Sequence, residues 1–299
     1  MTNVGVVVRS SPVPGVCTTS LRIMLRIADT RTGRFVEIPS GHRHLLRICV
    51  HLSASDAGVG TVHLRAPLVG DVLARAAELH GLESLTVLTT PDLPYEQAQA
   101  LDRAMSALGI HPPATVGVHH LTETFCAAAD VHLLAHGAAA QDAVGGAWID
   151  VGQVRPAPPD GGAPGRGHRL TSGLLDEFAP EGADPLAVRM LLLGHFYRTP
   201  ITVSSAALAE ARRTLRYWRQ QVADWAQEPS RPIPADVLRQ AHAALADDLG
   251  VPAVLDLLVS VARRADVPAG AKFETFAFLD RVLGLDLARE VGHQHPATP

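Results

Sequence analysis

The order of three consecutive segments constrains this chain more than any other feature. The apolar run LLRICVHL (Leu45–Leu52) leads through a glycine-bearing turn into amphipathic PLVGDVLARAAELHGL (Pro67–Leu82), and that into LTVLTT (Leu85–Thr90). The outer two read as buried strands by length and apolarity. The middle one reads as a helix, with Pro67 at its start and Gly81 beyond its end. A strand–helix–strand unit implies a parallel pair, and ligands of such sheets bind at the carboxyl ends of the strands.

The rest of the chain divides around this unit. Residues 1–20 are polar and proline-bearing and read as a loose extension. LRIMLRIADTRTGRFVEI reads as two short strands around a turn at Thr32–Gly33. QAQALDRAMSALGI and LTETFCAAADVHLLAHG read as helices and AWIDVGQV as a short strand, closing an α/β domain over 21–154. The segment 155–168 holds four prolines and four glycines and reads as a linker. Beyond it, 169–299 is helical. Asp184-Pro185 opens one helix, Ser205 a long one, and Gly250-Val251-Pro252 separates two more, while the last is expected over AKFETFAFLDRVLGLDLAREV. Helices with short joints make a bundle.

Bulk properties exclude several classes. The 299 residues are 47% hydrophobic, ample for a core. The net charge of -4 argues against nucleic-acid binding by a general positive field. Cys17, Cys49 and Cys126 lie far apart without a C-x-x-C, which implies unpaired cysteines and a reducing, cytoplasmic setting. No apolar run reaches membrane-spanning length. Lys272 is the only lysine.

Several segments, in order, resemble the cysteinyl-tRNA synthetases, a class I aminoacyl-tRNA synthetase family. DPLAVRMLLLGHFYRTPITVSSAALAEARRTL is similar to the family's Asp-Pro helix, His-Tyr-Arg-Ser-Pro turn and long helix. HAALADDLGVPAVLDLLVSVAR resembles its Asp-Asp-x-x-x-Pro helix pair. ALDRAMSALGIHPP resembles its Asp-Met-x-x-Leu run, and DTRTGRFVEI with RICV its opening hairpin and first strand. The resemblance implies a Rossmann-like parallel sheet that binds ATP and an amino acid, followed by a helical domain that rests on a tRNA stem.

The departures weigh against the family's full activity. Where the family carries a His-Ile-Gly-His-type phosphate turn, this chain has GTVH: Gly60 replaces the first histidine and Val62 the glycine. Gly60, His63 and Arg65 remain as nucleotide-binding candidates, with His63 and Arg65 the catalytic ones. The turn reads as damaged, with repurposing or retained function as alternatives. The family's Lys-Met-Ser-Lys-Ser loop is replaced by the linker, where Arg155, Arg166 and Arg169 are the only nearby cations. Cys49 matches the first of four family zinc ligands, and the segment carrying the other three is missing, so zinc is not expected. His42, His44, Cys49 and His51 form the one alternative cluster, against a simpler reading of Cys49 as a buried structural residue.

In the bundle, Arg212, Arg216 and Arg219 recur at helical spacing beside Tyr217 and Trp218. They read either as a solvated face or as contacts to RNA phosphates. Asp247 and Asp248 read as structural. The expected function is a paralogue that has lost cysteine–tRNA ligation, with a weak or repurposed ATP or adenylate pocket, an amino acid or nucleotide as small-molecule partner, and tRNA or other RNA as macromolecular partner. The alternative is an ATP-dependent cysteine ligase that forms an adenylate for a non-tRNA acceptor.

Overall fold

The computed structural model describes residues 24–38, 45–53, 63–118, 129–138, 145–157 and 184–293. Gly60, Val62, His42, His44, Cys17, Cys126, Arg166 and Arg169, with the extension and most of the linker, lie outside the described residues.

An antiparallel hairpin, β1 (Arg26–Ala28) and β2 (Phe35–Glu37), turns at Gly33. Then come β3 (Leu45–His51), helix α1 (Arg65–Leu79), β4 (Glu83–Thr90), α2 (Tyr95–Ala107), β5 (Thr115–Val118), β6 (Val131–Leu134) and β7 (Ala147–Asp150). The five strands from β3 to β7 form one all-parallel sheet in the order β5-β4-β3-β6-β7. Chain order runs outward from β3 on one side and restarts at β6 on the other. The topological switch point therefore lies between the carboxyl ends of β3 and β6.

Alternation along β3 assigns the two sheet faces. Ile48 and Val50 face α1, which approaches so closely that a Cβ built on Gly70 would lie 2.9 Å from Val50 Cγ2. Cys49 and His51 face the other way, beside His132 of β6, which pairs in register with Cys49.

The fold corrects one expected helix. Val131–Leu134, read as the end of a helix, is a fully buried strand beside β3. A short apolar run suits a buried strand and a buried helix alike, and periodicity alone does not separate them.

The second half begins before the linker ends its influence. β8 (Val154–Pro156) pairs in parallel with β9 (Ile201–Val203), so Arg155 and Pro156 belong to a strand. The bundle comprises α3 (Leu186–Leu193), α4 (Ser205–Trp225), α5 (Ala235–Ala246), α6 (Val251–Arg263) and α7 (Ala269–Leu283). Ser204 caps α4 by accepting from the Ala207 amide at 3.1 Å. The last helix was expected to run to Val291. It stops at Gly284, which adopts φ 60° and closes the helix in the left-handed conformation.

One apolar core runs through both halves, and buried arginines fasten them. Arg189 of α3 pairs with Asp71 of α1 at 2.6 Å and donates to the carbonyls of Leu283 (2.5 Å) and Leu108 (3.0 Å), at the ends of α7 and α2. Those carbonyls have no partner inside their own helices, so a guanidinium there completes them. On the far side, Asp248 accepts from Ala28 N (2.9 Å), Tyr197 Oη (2.6 Å) and Arg198 (2.6 Å), tying the β1–β2 hairpin to the bundle. Asp248 is thus structural, and Asp247 pairs with Arg26 at 2.9 Å.

Candidate functional site

The carboxyl ends of β3, β4 and β6 bring together polar side chains that are buried: His51, Ser53, Thr89 and His132. They form a line. Thr89 Oγ1 lies 3.0 Å from His51 Nδ1, and His51 Nε2 lies 3.0 Å from His132 Nδ1. The His132 ring stacks on Trp148 of β7 at 4.4 Å between centroids. Trp148 in turn carries the Arg31 guanidinium 3.2 Å from its ring centroid. Arg31 sits there because the hairpin turn is pinned to β7: Thr30 N and Oγ1 both donate to the Trp148 carbonyl, at 2.7 and 2.8 Å. Burial, reinforced by the nearby Arg31 charge, lowers the His132 pKa from 6.5 to about 4, so this imidazole is neutral at physiological pH.

His63 lies just before α1, buried, with Nε2 3.1 Å from Ser53 Oγ. The first turn of α1 holds no acidic residue, and no side chain caps it. A histidine at an uncapped helix amino terminus is a favourable place for an anion. Arg65 is differently placed. Only 2% exposed, it donates to the carbonyls of Gly152 (2.9 Å), Thr199 (2.6 Å) and Phe196 (2.9 Å). Burial lowers its pKa to about 10, so it stays protonated while clamping the β8–β9 region to α1. Its sequence neighbourhood suggested a phosphate contact; its guanidinium is engaged elsewhere.

Among the described residues, Cys49, His51 and His132 place one potential metal-ligand atom each within 4.8 Å of one another. Cys49 is disulfide-bonded. This corrects the expectation that Cys49 is unpaired. It also leaves two imidazoles, not two imidazoles and a thiolate, for a metal.

The arginines of the α4 stripe lie one turn apart along the helix but differ in exposure. Arg216 is exposed, Arg212 is half-buried, and Arg219 is 4% exposed, pairing with Asp184 and donating to the carbonyls of Leu285 and Asp286. Trp218 is in the core and Tyr217 is exposed. Arg155 lies in β8 with its Nε on Gln153 at 2.7 Å. A cavity of about 240 Å³ lined by Asp71, Glu78, Thr86, Met105 and His111 lies on the α1 side of the sheet, away from the strand ends. No described helix is long and apolar enough to cross a membrane.

Sequence reading missed His132, Trp148 and Arg31. The run Val131–Leu134 carried the signal for His132, had it been taken as a strand; Arg31 and Trp148 meet only through the fold.

No protein-family model matches the chain. Individual proteins do. The chain is 37% identical over 113 residues to the L-cysteine:1D-myo-inositol 2-amino-2-deoxy-alpha-D-glucopyranoside ligase of Rhodococcus jostii, covering 36% of this chain and 26% of that one. It is 39% identical over 99 residues to the ligase of the same name from Catenulispora acidiphila, covering 31% and 22%. It is 40% identical over 100 residues to the cysteine–tRNA ligase of Cereibacter sphaeroides, covering 33% and 19%. The matched segment spans about a fifth to a quarter of the length of these relatives. Over about a third of its own length, then, the chain is similar to cysteine ligases of the class I aminoacyl-tRNA synthetase type.

Proposed function

We propose that this chain is a cysteine-ligase-like protein that keeps a polar site at its strand ends, activates carboxylates poorly, and has lost cysteine–tRNA ligation. The placement of Arg65 carries this reading. The one cation at the start of α1 is drawn into three carbonyls, and Lys272, the only lysine, sits in α7. Among the described residues, charge developing on a leaving pyrophosphate would meet His63 and helix amides. Each missing donor of this kind costs about 10²- to 10³-fold in rate.

ATP fits these residues in part: the amino terminus of α1 and His63 would hold phosphate oxygens, and ATP when bound would supply the adenylating group. Zinc does not fit as a thiolate-gripping ion, because Cys49 is in a disulfide. Titration calorimetry with ATP tests the reading. Weak binding that His63→Ala abolishes supports it; binding that His63→Ala leaves intact removes the phosphate site from the start of α1.

The alternative is an active ATP-dependent ligase joining cysteine to a non-tRNA acceptor. The naming of several relatives as cysteine:amino-sugar ligases favours it over tRNA ligation. Mass spectrometry of reactions with cysteine, ATP and that amino-sugar acceptor would reveal the amide product.

A further inference from the structure

Two histidines meet across the two halves of the molecule, at the opposite end of α1 from His63. His80 follows the last residue of α1, and His242 belongs to α5. His80 Nε2 lies 3.4 Å from His242 Nδ1, with the rings edge to face and their centroids 5.1 Å apart. That separation is long for a hydrogen bond from an N–H donor, which ordinarily spans about 2.7–3.2 Å. It matches two ligands on one ion instead: nitrogens about 2.0–2.1 Å from a tetrahedral zinc lie about 3.3–3.4 Å apart. The Ala76 carbonyl accepts from His80 Nδ1 at 2.7 Å, so Nδ1 carries the hydrogen and the lone pair of Nε2 is left on the side of His242. A carbonyl behind the ring is the support that metal-ligating imidazoles commonly have.

We propose that His80 and His242 form a two-imidazole site for a divalent transition-metal ion of the zinc type, which ties α1 to α5. Both side chains are half-buried, so an ion can reach them from solvent. His242 makes no other hydrogen bond among the described residues, so its hydrogen can sit on Nε2 and leave the Nδ1 lone pair for a metal. Burial, and after it the charge of His80, lower the His242 pKa below the ordinary histidine value, so this ring is neutral at physiological pH and need not lose a proton to bind. The end of α1 favours a cation, because its last carbonyls carry negative potential and its last turn holds no basic residue. Among the described residues no third histidine, cysteine or carboxylate joins the pair, so water would fill the remaining positions. Imidazole nitrogens select zinc, copper or nickel over magnesium and calcium. The pair shares no residue with Cys49 or the strand ends, so the assignment stands apart from the ligase-like reading.

The two rings are 162 residues apart in sequence, so a bound ion would cross-link the two halves and stabilise the folded chain. The test is thermal unfolding of the full chain, first stripped of metal with a chelator, then with Zn²⁺ or Mg²⁺ added. Zinc at roughly a hundredfold excess over its dissociation constant should raise the midpoint by about 5 °C, and magnesium should leave it unchanged. The chain has 15 histidines, so zinc binding by itself does not locate the site. His80→Ala and His242→Ala do, since each should remove the zinc-dependent rise. Every variant is compared with itself without metal, so any stability lost through the substitution cancels. A zinc-dependent rise that survives in either variant, or no rise in the native chain, overturns the proposal.

Discussion

His132 sits in the middle of the sheet without exposed surface, and its pKa of about 4 ties stability to pH. The unfolded chain protonates this group near 6.5, the folded chain only near 4. Between those values the unfolded state binds more protons, so the contribution is complete above pH 6.5 and is lost as pH falls towards 4. Urea midpoints measured across that window should fall more steeply for the native sequence than for His132→Gln; parallel profiles would contradict the burial argument. Arg65 offers a second check. Arg65→Lys keeps the charge but cannot reach three carbonyls at once, so about 2–4 kcal/mol of stability should be lost in urea unfolding. An unchanged midpoint would mean the clamp contributes little. Identity and spacing made His63, Arg65 and Cys49 visible as candidates. What each one touches was not visible, because the carbonyls around Arg65 belong to residues 87 to 134 positions away.

Among the elements, α1 is the one that sets the site, since it packs on one sheet face and begins where β3 ends. Its closeness to the sheet depends on Gly70. Alanine there would gain about 1 kcal/mol in helix propensity. It would also place a methyl 2.9 Å from Val50 Cγ2 and 3.3 Å from Leu133 Cδ1, overpacking that costs about 1–3 kcal/mol. Gly70→Ala should therefore lose about 1 kcal/mol net, and pairing it with Val50→Ala should cost less than the two changes summed. Additive losses in a double-mutant cycle would show that the contact is not the cause. The unit around α1 was legible because strand, helix and strand each carry their own period and punctuation. β6 was not, since four buried apolar-flanked residues fit either element, and the tertiary neighbours β3 and β7 decide the matter. The end of α7 was missed for a different reason. Gly284 stops the helix, yet Leu285 and Leu287 stay buried beyond it, so the apolar pattern continues where the helix does not.

At the level of the whole molecule, the α/β half and the bundle share one core and are locked by Arg189, Arg65 and Asp248. The two-part architecture was readable from the change in composition after Val154; the interlocking was not, because buried ion pairs across distant segments leave no local pattern. With a net charge of -4 and Arg219 turned inward, the proposed RNA contact at α4 would rest chiefly on Arg216. If tRNA binds there, Arg216→Ala should flatten the plot of log affinity against log salt by roughly 0.7 to 0.9. A gel-shift series at several salt concentrations with an unchanged slope would exclude that helix as the contact. The central claim is that the fold persists while its capacity to activate cysteine with ATP has fallen. ATP–pyrophosphate exchange measures that capacity without requiring knowledge of the acceptor. The account predicts cysteine-dependent exchange that is absent or orders of magnitude below a working synthetase assayed alongside. Robust cysteine-dependent exchange, abolished by His63→Ala, would contradict it and establish an active adenylate-forming ligase.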